Sequence, residues 1–169
     1  MAISMYETSI PRFIHTLGSL RSILEKAQAY AELKKIDASV LPNARLFPDM
    51  LPLTSQVQIL SDTVKGCIAR LAGVDVPSWT DDEKTLEDLR ARIRKTVDFV
   101  QSVQAAQVDG GDAREIALPT RSGEPRRFTG ESYLTSFVLP NVYFHATTTY
   151  ALLRAAGVEL GKRDFLGLP

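Results

Sequence analysis

Four separate stretches of this chain place apolar residues three and four positions apart, a spacing that restricts the fold to packed amphipathic helices. In the first, about Thr8 to Lys35, Ile10, Phe13, Ile14, Leu17, Leu20, Leu24, Ala27 and Ala31 share one side. Arg12, His15, Ser19, Ser22 and Lys26 share the other. The second, about Leu53 to Ala72, carries the seam Leu53, Val57, Leu60, Val64, Ile68 and Leu71, and Gly73 is a natural stop. The third is expected to start at Thr80. There Thr80 and Glu83 spell a capping box behind Pro77, and Asp81 and Asp82 suit a positive helix N-terminus. Leu86, Leu89, Ile93, Val97, Val100 and Val103 follow. The fourth, about Gly130 to Ala156, lines one face with Leu134, Phe137, Val138, Phe144, Thr148, Leu152 and Ala155, and Gly157 ends it.

Helices of about 20 residues are about 30 Å long, and four of matched length with one wide apolar stripe each suit a bundle. The expectation is therefore an all-α, single-domain four-helix bundle over residues 1–169, without internal repeats. Two connections are long. Ile36 to Pro52 holds Pro42, Pro48 and Pro52 and reads as an ordered crossover. Asp109 to Thr129 contains alternating Ile116 and Leu118, a Ser-Gly turn and Phe128, the pattern of a small β-hairpin between helices three and four. Connections of this length imply a bundle that is not simply up-down-up-down.

Charge narrows the function classes. Lys+Arg and Asp+Glu both number 20, so the formal net charge is zero, without the basic excess of a nucleic-acid binder or a membrane tether. No apolar run approaches the roughly 18 residues of a membrane span, and the N-terminus lacks the pattern of a signal peptide. A cytoplasmic location is the default expectation. One cysteine, Cys67, leaves no internal disulfide and reads as a buried, inert thiol. There is no Gly-rich phosphate loop, GxSxG elbow or HExxH, so phosphoryl transfer and triad hydrolysis have no support.

The informative stretch is LPNVYFHATTTYALLRAAGVELGKRDFLGLP, residues 139–169. Asn141 and His145 are four apart and share a helix face. Pro140 cannot donate to the carbonyl of Ser136 and should kink the helix or loosen its turn. With MYETSIPRF, NARLFPDMLPL and PNVYFH, the chain resembles the DinB/YfiT-like superfamily over nearly its full length. That superfamily has an HxxxH pair on its last helix ahead of a Leu-Leu-Arg and a Gly-Val ending. Here His145 stands nine before Arg154 in LLRAAGVE and matches the second histidine, whereas Asn141 occupies the first. The third ligand position, on helix two, falls closest to Gln58.

The resemblance implies a DinB-like bundle, a divalent metal where all three histidines are present, thiol transfer in some members, and homodimers. Only one histidine of three is present here. Amides are weak ligands for zinc, so no tightly bound metal and no cofactor are expected, with weak divalent metal binding as the most the set would support. Gln58, Asn141 and His145 are the candidate ligand-binding residues, expected to meet at the bundle centre around an unidentified small molecule. The competing reading makes each of them ordinary: a hydrogen-bonded core histidine, an amide answering a freed carbonyl, and a surface glutamine. The chain is then a non-catalytic helical dimerisation module with a vestigial site. His15 and the run EDLRARIRK, including an Asp88–Arg92 pair, read as solvated; Asp62, a turn after Gln58, reads the same way. Trp79 is expected to cover one end of the core, and Tyr133, Tyr143 and Tyr150 to be core or interface aromatics.

Overall fold

The computed structural model describes residues 4–120 and 123–168. The long helices are α1 (Met5–Lys34), α2 (Leu53–Ala72), α3 (Leu86–Ser102) and α6 (Leu139–Ala155). Shorter elements are α4 (Ala105–Val108), strands β1 (Glu115–Leu118) and β2 (Arg126–Thr129), α5 (Gly130–Ser132) and α7 (Lys162–Leu166). A π-helical stretch, Tyr133–Val138, joins α5 to α6. α1 packs on α3 and α6, and α2 packs on the same two helices, so α1 and α2 lie diagonally across the bundle. The 36–52 connection therefore crosses one end of the bundle. It is ordered by buried Leu41, by Thr54 Oγ1 donating to the Pro42 carbonyl at 2.9 Å, and by Leu53 N–H donating to Ala44 at 3.0 Å.

The helix ends have local causes. Ser4 caps α1 by accepting from Glu7 N–H at 3.1 Å. Gly73 adopts φ +70° and closes α2 on the carbonyls of Ala69 and Arg70, the stop expected from its sequence position. The start of α3 differs from expectation. Thr80 and Glu83 do not form the capping box; the helix begins at Leu86 with Thr85 as N-cap and Asp88 completing the box. Asp88 accepts from the N–H groups of Lys84 and Thr85 at 3.0 and 2.9 Å, which holds its carboxyl below the usual range. Residues 74–85 instead run without regular structure along α2 and α3, because the Glu83 carboxylate is claimed by side chains of the bundle.

The hairpin forms where its alternation placed it, with Ile116 opposite Phe128 and Ile116 buried. Its Ser-Gly turn falls partly outside the described residues. Phe128 packs on Tyr133 and Phe137 with ring centroids 5.7 and 5.5 Å apart, tying the hairpin to the π-helical stretch. That stretch ends where Leu139 N–H donates to Leu134, five residues back, immediately before Pro140. The turn ahead of the proline is thus loosened, as a residue without an N–H requires. The buried face of α6 then runs through Val142, His145, Ala146, Thr149, Leu152 and Leu153, and Phe144, expected on the core face, is 57% exposed. The expected stripe was out of phase at that position.

Gly18 lies inside α1, and a Cβ there would meet nothing within 4 Å. Glycine in a helix interior costs roughly 0.5–1 kcal/mol relative to alanine. Gly18→Ala is accordingly expected to raise the melting temperature by about 1–4 °C, checked by calorimetry. An unchanged or lower midpoint would show that the apparent space is not open.

Candidate functional site

His145 is buried on α6 and faces α2. Its Nδ1 lies 2.7 Å from Oε1 of Gln56, and Nε2 of that same amide donates to the Leu51 carbonyl at 3.1 Å. The Leu51 oxygen has only lone pairs, so it must face the amide NH2, and the amide oxygen must face the imidazole. Nδ1 therefore carries the proton and donates, and Nε2 keeps its lone pair. Burial holds the His145 pKa below its ordinary value, so the ring is neutral at pH 7. No hydrogen bond is made by His145 Nε2 among the described residues.

The other two sequence candidates do not converge on this ring as expected. Residues 56 and 58 point roughly 200° apart around a helix. Gln56, not Gln58, is the amide that α2 brings to His145, and Gln58 Nε2 instead donates to Glu83 Oε2 at 2.8 Å. Asn141 stands one turn before His145, half buried, with Nδ2 donating to the Phe137 carbonyl at 2.6 Å. It answers the carbonyl one residue after that of Ser136, the one expected to be left free by Pro140. Its Oδ1 makes no hydrogen bond among the described residues. The α2–α6 junction thus presents two acceptors, Asn141 Oδ1 and His145 Nε2, on adjacent turns of one helix. Phe144 meets the His145 ring edge-on at 5.2 Å.

A second polar cluster sits on the α2–α3 side. Arg92 was expected to pair with Asp88 in water, yet its side chain is 2% exposed. It binds Asp62 at 2.8 Å, Asp81 at 2.8 Å, Glu83 at 2.9 Å and the Thr80 carbonyl at 3.2 Å. Asp62 also holds Lys65 at 2.8 Å. Trp79 lies between the ammonium groups of Lys65 and Lys95, 4.3 and 4.6 Å from its ring centroid, so its role is to fasten the 74–85 segment. Burial alone would push the Glu83 carboxyl up; hydrogen bonds from Gln58 and Arg92, with the Arg92 charge, hold it down. The sequence signal for Arg92 was its place three after Leu89 and four before buried Thr96, on the inward side of α3.

The remaining candidates are structural. His15 is exposed, and its Nε2 donates to the Leu166 carbonyl at 2.8 Å, clamping α7 onto α1. Burial pushes the Cys67 thiol far up, so it is not nucleophilic. Tyr133 is buried, accepts from Arg70 at 3.2 Å, and has its pKa raised to about 12 by burial.

Comparison with known proteins places this arrangement. A family model described as "Domain of unknown function (DUF1993)" matches residues 5–166. The chain belongs to the DUF1993 family. A solved structure described as a DinB family member protein from Shewanella denitrificans is similar to it, at 39% identity and a TM-score of 0.89. That match covers 97% of this chain and 92% of the other, so this DUF1993 protein has the DinB fold. A search of curated proteins finds no match.

The metal implied by the fold does not fit the DUF1993 residues found here. Among the described residues, no group of three or more His, Cys, Asp or Glu side chains is placed to hold one. At the α2–α6 junction the donors are one imidazole and two amides, and the Gln56 oxygen is directed at Nδ1 of His145 rather than at a shared centre. Zinc prefers imidazole, thiolate and carboxylate, and the site supplies one such group. Among the described residues, no helix is long and apolar enough to cross a membrane.

Proposed function

We infer that this DUF1993 protein binds a small molecule at the α2–α6 junction without a metal, with His145 as the one group able to take a proton. One observation carries the reading: the Leu51–Gln56–His145 chain of hydrogen bonds, which fixes the imidazole tautomer and leaves an oriented Nε2 lone pair. Nε2 is not sealed from solvent, because among the described residues the buried side-chain nitrogens without a partner are Arg90 Nε and Arg92 Nε, so a ligand can reach the lone pair. Asn141 Oδ1 adds a second acceptor on the same face. The ligand that complements two acceptors is one that presents N–H or O–H donors.

The test is nitrogen NMR of the imidazoles combined with a fragment screen. His145 is expected in the Nδ1–H form with a pKa below the ordinary value of about 6.5. Fragments bearing donors should shift its Nε2 resonance, and His145→Leu should abolish their binding while preserving the helical spectrum. An Nε2–H tautomer would sink the reading. So would a screen whose hits ignore His145→Leu, with that variant as stable as the parent or more so, the behaviour of a structural pair.

A second reading, a homodimeric interaction module, rests on a different observation. Phe144 is 57% exposed and Leu51 47%, and they touch the two members of the His145–Gln56 pair. Exposed large apolar side chains in one neighbourhood suit burial against a partner. Light scattering should then show a dimer that Phe144→Glu converts to monomer, and a monomeric parent at high concentration would exclude it.

A further inference from the structure

The groove between α1 and α3 has no part in the site above. Glu25 on α1 meets Arg90 on α3 at 3.5 Å. One turn back along α1 and one turn on along α3 stand Arg21 and Arg94, and both line one cavity of about 290 Å³. The helices are therefore antiparallel here, and two guanidinium groups flank the same end of the groove. Arg94 is held by Glu87 at 3.0 Å, and Arg21 has no hydrogen bond or ion pair among the described residues. Glu25 and Glu87 pair with Arg90 and Arg94, which leaves the Arg21 guanidinium as the donor still free to take an anion.

The rest of the groove is apolar. Leu17 and Ile93, fully buried, form its floor, with Ile14 and Val97 as half-exposed walls. Gly18 gives it depth. Neither a positive φ nor internal packing calls for glycine there, since a Cβ would enter open space. A glycine in a helix interior with no internal cause permits close approach from outside the chain. At the other end, Asp98 on the rim disfavours an anion, which orients any charged group toward the arginines.

We propose that this groove binds a small amphipathic carboxylate, its hydrocarbon tail over Gly18 and its carboxylate between Arg21 and Arg94. The charge pair matches a carboxylate through forked N–H donors. The volume is at the small end of ligand cavities, which run from roughly 300 Å³ upward, and suits a medium-length tail.

The test uses octanoate, octan-1-ol and acetate, titrated calorimetrically into the whole protein. Octanoate should bind, octanol about tenfold more weakly, and acetate not measurably, because both the charge and the tail are needed. Arg21→Gln should bring octanoate down to the affinity of octanol and leave octanol unchanged. Gly18→Leu should remove binding of both while the helical circular dichroism persists; Arg21→Gln, a surface change, decides the matter if that variant does not fold. Octanoate failing to bind at millimolar concentration, or binding equally to the parent and Arg21→Gln, overturns the proposal. A parent dimer that Arg21→Gln disrupts and Phe144→Glu does not would also overturn it, by making a second copy of the chain the occupant.

Discussion

Arg92→Met is expected to cost about 3 kcal/mol of stability at neutral pH, the low end for breaking a buried ion pair by removing one partner. The low end applies because the charges left behind are not equally buried. The side chains of Asp62 and Asp81 are 43% and 57% exposed and can turn to water, and Asp62 keeps Lys65. The Glu83 side chain is 10% exposed and would retain only the Gln58 amide. The penalty therefore comes mainly from one stranded carboxylate. Against a total of roughly 5–15 kcal/mol for a domain, the loss should be plain in urea unfolding. Arg92→Met combined with Glu83→Gln should recover more than half of it, since neutralising the stranded group removes most of the penalty. No recovery in the double variant would show that the loss comes from packing.

The same cluster fixes the sign of an acid effect. Glu83 has a folded pKa below its unfolded value, so its contribution is complete above the unfolded pKa of about 4.3. It is lost as pH falls from there through the lower folded value. Parent stability should decline over that window, and in Arg92→Met the decline should be shallower, because the cation that favours the ionised form is gone. Parallel acid titrations of both proteins would contradict the assignment of Glu83 as the titrating partner.

The helical stripes were readable because each is set by residues three and four apart, a relation the chain states locally. The features that were missed depend on partners remote in sequence. Thr80 with Glu83 and Thr85 with Asp88 are two cap patterns five residues apart, and nothing local separates them. Arg92 does so by drawing Glu83 away toward α3, which leaves the cap to Thr85. Gln56 falls three after Leu53 and four before Leu60, on the seam itself, whereas Gln58 lies on the flank that faces Glu83. Phe144 was misplaced because the π-helical stretch and Pro140 reset the phase of the last helix, and a uniform 3.6 period carried across them points it inward. The His145–Asn141 spacing was legible, and the tautomer was not, since it follows from the Leu51 carbonyl two elements away.

Gly130→Ala should cost about 2–3 kcal/mol, at the upper end of what overpacking by one small group usually costs. The reason is backbone meeting backbone. A Cβ on Gly130 would stand well inside contact distance of the Gly111 carbonyl oxygen, and one on Gly111 would lie 2.6 Å from the Leu71 carbonyl oxygen. The turn after α4 therefore packs backbone to backbone against both the end of α2 and the start of α5, with the Leu71 side chain beside Gly130. A long flexible side chain at such a place would yield cheaply. The Gly111 peptide is tethered on both sides instead. Its N–H donates to Val108 at 2.9 Å, its carbonyl accepts from Arg114 at 3.2 Å, and the next carbonyl, of Asp112, accepts from Glu131 at 2.9 Å. Moving it breaks or stretches several of these bonds together, each worth about 1 kcal/mol. Gly110, one residue away, is the control: a Cβ there meets nothing within 4 Å, so Gly110→Ala should leave stability within about 0.5 kcal/mol of the parent. Urea midpoints with unchanged slopes would measure both. Equal midpoints for the two variants would mean that the α2–α5 junction relaxes freely, and that the hairpin and π-helical stretch are not anchored to α2 through these glycines.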